Sequence, residues 1–303
     1  MSDFCIMIPR KIFAQVGGFN EKFRYSRLLA VDYSFRLRLA GFKTIIAPTF
    51  AHHNAGSSQN LGLNMNEVVE ADLRLLRDTW NFDLAYSTFA RTELVEMMDT
   101  AVVAPKVLEI GCATGRTLLS VQHKYPQAEL YGIELNETTA KLAATVANVQ
   151  NMDIEKLIAP EWHNKFDAII AADVIEHLRD PWQALKNLRS MLKPGGEIIL
   201  SIPNVEFIAN VLKLLNGYWE YEDAGILDRT HLRFFTRRSI EEMIREVQLK
   251  LTRLERHFPK ITPDLGSQLE DYIARLTALP GLTVTADDLR TYQYYVRAVR
   301  PTE

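Results

Sequence analysis

The run Val107-Leu108-Glu109-Ile110-Gly111-Cys112-Ala113-Thr114-Gly115 passes from apolar residues into small ones and then into a helical pattern from Thr117. Glycine at 111 and 115 frees the backbone and lets a ligand approach it closely, and the helix start beyond offers unpaired N–H groups. The next apolar run ends at Gly132-Ile133-Glu134, which sets a carboxylate 25 residues after Glu109. A carboxylate at a strand tip can accept two hydrogen bonds from a ribose diol. Asn151-Met152-Asp153-Ile154 then offers an acceptor for an adenine amino group and an apolar flank for its ring. Two imidazoles can take a proton from an acceptor hydroxyl: His177, in Ile175-Glu176-His177-Leu178, and His231, in Gly225-Ile226-Leu227-Asp228-Arg229-Thr230-His231-Leu232-Arg233-Phe234-Phe235-Thr236.

Nucleoside chemistry leaves two cofactors open, a nicotinamide dinucleotide and S-adenosylmethionine. A dinucleotide fingerprint G-x-G-x-x-G opening at Gly111 requires glycine at 113 and 116, where the chain has Ala113 and Arg116. The pyrophosphate loop is therefore missing. Glu109, placed just before the loop, is poorly suited to a diphosphate but suits a ligand that carries an amine and a sulfonium. The spacing favours S-adenosylmethionine. Ala113 is tolerable there if its φ is negative.

These groups must be held by regular elements. Beyond Pro105, short apolar runs alternate with longer amphipathic ones (KVLEIG, TLLSVQHKY, AELYGIEL, TTAKLAATVAN, FDAIIAAD, PWQALKNLRSML, GEIILSIP). Strand and helix in alternation give parallel pairing through crossovers and an α/β doubly wound sheet covered on both faces. After Pro203 the rhythm breaks for about thirty aromatic-rich residues. A helix at about 239–247, a strand near 249–257 and a last strand over 291–300 follow. Residues 65–98 read as two helices with a break near 80–83.

The whole chain has 303 residues, with 35 Lys and Arg against 38 Asp and Glu, a net charge of −3 that argues against a dedicated nucleic-acid binder. Two cysteines, Cys5 and Cys112, cannot form a disulfide framework. Their number fits a reducing, cytoplasmic setting. No apolar run approaches the roughly 18 residues of a membrane span, and the start of the chain lacks a signal-peptide pattern.

Together VLEIGCATGRT, YGIELN, NMDIEKL, FDAIIAADVIEHLRDP and LKPGGEIILSIPN resemble a class I S-adenosylmethionine-dependent methyltransferase over about residues 84–300. The resemblance implies a Rossmann-like fold with a seven-stranded, mostly parallel sheet whose last strand inserts antiparallel. It implies that Glu109, Gly111, Cys112 and Gly115 form the cofactor loop, that Glu134 and Leu135 meet the ribose, that Asp153 and Ile154 hold the adenine, and that Ala172 meets the methionine part. In related quinone-biosynthesis and small-molecule O-methyltransferases the Glu-His pair at 176–177 borders the active site, and in some it helps to bind a divalent metal. A metal is admissible in this chain but not expected, and no metal ligand is assigned. His177 is either the acceptor base or a helix cap bonded to Glu176 or backbone. His231 lies in a pocket lining or in a satisfied structural network. The run GILDRTHLRFFT resembles a methyltransferase subgroup found fused to, or encoded beside, sugar-transferring enzymes, which points to a sugar or glycan-linked acceptor in polysaccharide biosynthesis. Trp219, Tyr221 and Arg233 are the candidate acceptor contacts, with a helical lid packed through the aromatics as the alternative.

Residues 4–58 resemble the acceptor-side end of a family 2 inverting glycosyltransferase, through Ile8-Pro9-Arg10, Val16-Gly17-Gly18-Phe19-Asn20-Glu21, Val31-Asp32-Tyr33-Ser34-Phe35-Arg36-Leu37-Arg38-Leu39-Ala40-Gly41-Phe42 and His52-His53. That family implies Asp32 as acceptor base and His52 or His53 near a metal–diphosphate. The nucleotide-binding half and an Asp-x-Asp motif are missing, and Val31 replaces an acidic residue. The expected organisation is a glycosyltransferase-like α/β remnant over 1–60, a helical linker over 61–83 and the methyltransferase domain over 84–303. An exposed sheet edge on the remnant predicts packing on the catalytic domain, a homodimer or a glycosyltransferase partner. The alternative function is a noncatalytic docking module for such a partner.

Overall fold

The computed structural model describes residues 6–45, 64–156, 160–260 and 262–302. Among the described residues, five helices precede the sheet: α1 (Arg10–Val16), α2 (Ser26–Leu39), α3 (Met65–Trp80), α4 (Leu84–Ser87) and α5 (Thr92–Met97). Then come β1 (Lys106–Ile110), α6 (Arg116–Lys124), β2 (Glu129–Glu134), α7 (Glu137–Ala143), β3 (Asn148–Asn151), β4 (Phe166–Ala172), α8 (Pro181–Met191) and β5 (Leu192–Pro203). The chain closes with α9 (Ile208–Leu215), α10 (Arg237–Glu246), β6 (Lys250–His257), α11 (Pro263–Thr277), α12 (Ala286–Arg290) and β7 (Gln293–Val299).

The seven strands lie in the order β3-β2-β1-β4-β5-β7-β6. β7 runs antiparallel to β5 and β6, and the other neighbours recorded are parallel. The expected doubly wound, seven-stranded, mostly parallel sheet is therefore the observed one. β1 and β4 are buried along nearly their whole length, because helices cover both faces of the sheet. One layer gathers Leu108, Ile169, Leu185, Ile198, Ile240 and Val296, and the other gathers Leu94, Val107, Leu118, Ile170 and Ile199. Chain order reverses between β1 and β4, so the crevice beyond their carboxyl ends is where a ligand belongs.

The N-terminal residues differ from expectation. Residues 6–45 hold two helices and no strand among the described residues, in place of an α/β piece with a free sheet edge. α2 packs on α3 through Phe23, Leu28, Phe35, Leu76, Trp80 and Phe82, and the same cluster takes in Leu142 of α7. These helices thus pack against α7. His52, His53, the loop expected at 54–60, the boundary at 60 and Cys5 lie outside the described residues. The expected break near 80–83 is present, where Asn81 ends α3 in a left-handed turn and Asp83 caps α4 through the Tyr86 amide, but residues 65–98 form three helices rather than two because the chain breaks again at Thr88 before α5. The aromatic-rich stretch after Pro203 contains α9, which packs with α11 and α12 around Phe207, Ile226, Leu269 and Leu289. No helix among the described residues is long and apolar enough to cross a membrane.

Candidate active site

β1 delivers its last residue, Ile110, to the crevice, and the chain turns there through Gly111 at φ +67°, Ala113 at φ +44° and Gly115 at φ +80° before α6 begins. A negative φ at Ala113 was the expectation, and the structure gives the opposite sign. The turn is held by Glu134: its Oε2 accepts from the Ala113 N–H and its Oε1 from the Asn136 N–H, each at 2.8 Å. Each carboxylate oxygen keeps a further lone pair, so Glu134 is fixed at the β2 tip while still able to accept from a ribose diol. Leu135 beside it is 72% exposed. Gly111 has close neighbours, since a Cβ there would lie 3.1 Å from the Val174 side chain. Gly132 clears the space under the loop, where a Cβ would fall 2.6 Å from the Cys112 Sγ.

Cys112 is therefore a packing residue. Its side chain is 2% exposed within the core, and burial pushes its thiol up, so only its backbone can face a ligand. Ile154 departs from expectation in the same way: it is part of the main core at 8% exposure, whereas Met152 is the partly buried apolar neighbour left beside Asp153. Asp153 caps the following turn by accepting from the Glu155 amide at 3.0 Å and is half-buried. Glu109 is buried beneath the loop, and desolvation pushes its carboxyl up to about 8, with Glu134 adding to the shift and the Thr117 hydrogen bond opposing it. Its Oε2 has no hydrogen-bond partner. A protonated Glu109 can donate to a neighbouring acceptor, and an ionised one would suit a cationic group.

These features fit an S-adenosylmethionine cradle: a glycine-flanked turn, a strand-tip carboxylate already oriented by two amides, and a buried acid beneath. Ala172 stands at the β4 tip, and Asp173 follows at φ +52°. The strain is held by a network that sequence reading missed. Arg91 pairs with Asp173 and donates to Ser201 and Gln293, each at 3.2 Å, while Ser201 donates back to Asp173 at 2.8 Å. Four separate elements contribute to it, which is why no local spacing points to it. Tyr86 of α4 was also missed; it is largely exposed yet lies within electrostatic reach of Asp173, Glu176 and Glu134.

The two candidate bases meet. The rings of His177 and His231 lie 4.7 Å apart at 81°, although 53 residues separate the Thr230 neighbour of His231 from His177. The Nδ1 of His177 faces the Thr230 carbonyl at 3.3 Å and the Thr230 hydroxyl at 3.1 Å, and that hydroxyl donates to Asp228 at 2.6 Å. The Nδ1 of His231 faces the Ile226 carbonyl at 2.9 Å. A carbonyl only accepts, so these contacts favour a proton on Nδ1 in both rings, which turns Nε2 to other partners. Burial, and then the neighbouring His231, lower the pKa of His177 below the ordinary imidazole value. Burial alone would raise the Asp228 carboxyl, but the Thr230 hydroxyl and amide and both histidines hold it below its usual range.

Glu176 lies under the pair, 1% exposed, with neither carboxylate oxygen hydrogen-bonded; burial, then Asp173, push its pKa well up. One ligand atom from each of Glu176, His177 and His231 falls within 4.8 Å of the others, a donor set able to hold a divalent cation. From His231 an aromatic series runs outward through Phe234 at 6.4 Å to Trp219, whose ring is 5.2 Å from that of Phe234. Of the expected acceptor contacts, Trp219 lines this series and is partly exposed, while Tyr221 is exposed without a recorded ring contact. Arg233 is turned to the Arg179 carbonyl, and its amide donates to the Glu176 carbonyl at 3.0 Å, so it ties the 225–236 segment to the site.

Asp32, expected as an acceptor base by likeness, is 2% exposed and fully engaged: Oδ1 accepts from the Trp80 indole at 3.0 Å and Oδ2 from the Arg36 Nε at 3.0 Å. Its carboxylate joins α2 to α3.

A family profile described as a methyltransferase domain matches residues 82–254. The chain is 29% identical over 106 residues to the ubiquinone biosynthesis O-methyltransferase of Acinetobacter baumannii, covering 33% of this chain and 44% of that protein. It is 30% identical over 122 residues to the ubiquinone biosynthesis O-methyltransferase of Coxiella burnetii, covering 38% and 50%. The chain thus spans about half the length of the curated relatives it matches. A solved S-adenosylmethionine-dependent methyltransferase from Mesorhizobium loti overlays with a TM-score of 0.46 at 17% identity, over 69% of this chain and 96% of that one.

Proposed function

The chain belongs to the methyltransferase-domain family, and from that premise we propose that it is an S-adenosylmethionine-dependent methyltransferase that methylates a hydroxyl oxygen, with His177 as the acceptor base. The observation that carries this reading is the contact of the His177 Nδ1 with the Thr230 carbonyl and hydroxyl, the hydroxyl itself donating to Asp228; with the proton on Nδ1, Nε2 is left to receive one. S-adenosylmethionine, when bound, supplies a methyl group on a sulfonium centre. Gly111, Gly115 and Glu134 would hold its nucleoside half, with Asp153 and Met152 toward the adenine and Ala172 toward the amino-acid half. His177 would receive the proton of the acceptor hydroxyl. His231 sets the orientation and proton affinity of His177 by ring contact.

For the acceptor we propose a sugar or glycan-linked molecule laid against Trp219 and Phe234, with Tyr221 and Arg233 at the rim. The relatives named above support oxygen as the methylated atom, and the likeness of the 225–236 run to sugar-associated methyltransferases supports the sugar. The same reading assigns 84–303 to the catalytic domain, 61–83 to a connecting helix and 1–60 to a glycosyltransferase-derived piece, with a cytoplasmic setting. Titration calorimetry with S-adenosylhomocysteine, followed by a tritiated-methyl screen of sugars against phenolic acceptors, tests it. Label on a sugar oxygen supports the proposal, and label confined to phenols overturns the acceptor class.

A second reading rests on Glu176. A buried carboxyl with no partner stays protonated unless a cation takes the place of the proton. Were Mg2+ or Mn2+ to raise the melting temperature of the wild type and not that of Glu176→Gln, the acceptor hydroxyl would be activated by metal with the two histidines as ligands.

A further inference from the structure

We propose that the helices preceding the catalytic domain brace the cofactor loop, and that Arg38 is the positioning residue through which they do so. The inference rests on the reading of residues 111–115 as that loop.

Arg38 stands near the carboxyl end of α2, half-buried against α7. Its Nη2 donates to the Thr114 carbonyl at 3.3 Å, to the Leu142 carbonyl at 2.9 Å and to the Thr145 hydroxyl at 3.0 Å; its Nε reaches the same hydroxyl at 3.2 Å. One guanidinium therefore joins the loop to the last turn of α7, where the Leu142 carbonyl also accepts from the Thr145 hydroxyl at 2.7 Å and a cation is favourable. The loop has little freedom to drift from that helix end. At Gly115 a Cβ would lie 2.9 Å from Val146 and 3.3 Å from the Ala143 Cα. Thr114 is buried, and its hydroxyl donates to the Ser87 carbonyl at 2.7 Å, so the segment before the sheet grips it from the other side.

α7 is held at both ends by the chain that precedes the sheet. At its start, the Asn136 amide group donates to the Asn81 carbonyl at 2.7 Å, two residues after Glu134. At its finish, Arg38 takes Leu142, whose side chain is fully buried in the α2–α3 cluster. α2 is itself anchored by Asp32 to Trp80 and by Phe35, whose ring lies 5.2 Å from Trp80. Asp72 of α3 accepts from the amides of Arg24 and Tyr25 at 2.7 and 2.6 Å, fixing the approach to α2. The brace thus sets both the Thr114 carbonyl and the helix that follows the ribose-binding carboxylate. Arg38 acts through these groups.

The test uses the full chain, with S-adenosylhomocysteine affinity measured by calorimetry beside melting temperature for wild type, R38M, R38K and R300M. Arg300 also donates to backbone carbonyls, among them Leu192, but has no part in the loop, so R300M controls for general loosening. The expected result is a Kd raised fivefold or more in R38M, a partial recovery in R38K, whose ammonium can serve one carbonyl, and an unchanged Kd in R300M even where its melting temperature falls. An R38M Kd within twofold of wild type overturns the brace whatever its melting temperature. Should R38M not fold, R38K decides: an affinity equal to wild type overturns the proposal and a weaker one supports it. Failure of the wild type to bind overturns instead the cofactor reading beneath it.

Discussion

The N–H of Ala113 donates to Glu134 at 2.8 Å from a backbone held at φ +44°. A non-glycine residue in that region costs on the order of 1–2 kcal/mol, and the bond to Glu134 helps hold it there. Replacing the alanine by glycine removes the strain at an entropic penalty of roughly 0.5–1 kcal/mol. Ala113→Gly is therefore expected to stabilise the fold slightly, by about 0.5–1 kcal/mol, with cofactor affinity retained. A clear drop in melting temperature would show that the strain is not relieved.

His177→Gln is expected to lower kcat by about 10²–10⁴, the range for loss of a general base, while S-adenosylhomocysteine binding stays near wild type. Because burial and His231 depress the pKa of His177, the acid limb of the wild-type rate profile should fall below the ordinary imidazole value of 6.5. His231→Gln removes one of those causes and should move the limb upward. A limb that stays put in His231→Gln, or survives in His177→Gln, assigns the proton to another group.

Glu109 carries a linkage with a definite sign. Its folded pKa of about 8 exceeds the ordinary 4.5, so the folded chain binds more protons than the unfolded one between those values. Its contribution to stability is complete below pH 4.5 and is lost as pH rises toward 8. Glu109→Gln should flatten the fall in melting temperature across this window. Parallel curves for variant and wild type would show that Glu109 ionises normally.

Asp32→Ala leaves the Trp80 indole and the Arg36 guanidinium without their buried acceptor. Breaking a buried pair from one side costs about 3–5 kcal/mol, and chemical denaturation should register a loss of that order. Asp32→Asn, which keeps one acceptor for the indole, should recover part of it. Near-wild-type stability in Asp32→Ala would free this carboxylate for the acceptor-base role that likeness to glycosyltransferases gives it.

The sheet and its cofactor edge were legible because their signals are local. A buried parallel strand must be apolar along its length, a turn that meets a ligand needs small residues, and Glu134 stands at a strand tip that alternation alone locates. The antiparallel last strand came by likeness and is present as β7. Local patterns could not decide how deeply a side chain is packed, and the side chains of Cys112 and Ile154, both expected at the cofactor, lie in the core. Nor could they give the sign of φ at Ala113, which a hydrogen bond to a residue 21 positions away sustains.

Chemistry assembled from distant segments was the larger gap. His177 and His231 were each visible as proton acceptors, but their ring contact, the Thr230–Asp228 hydrogen bond and the unpartnered Glu176 beneath them exist only once the 225–236 segment meets the turn that follows the carboxyl end of β4. The Arg91–Asp173–Ser201–Gln293 network and the grip of Arg38 on Thr114 join residues tens to hundreds of positions apart. Sequence by itself determined the strands of the sheet and the carboxylate at the β2 tip, since periodicity and turn chemistry act over a few residues. Tertiary structure decided that His177 meets His231 and that the N-terminal helices pack on α7, because contact and burial are set by whatever the packed chain places within a few ångströms.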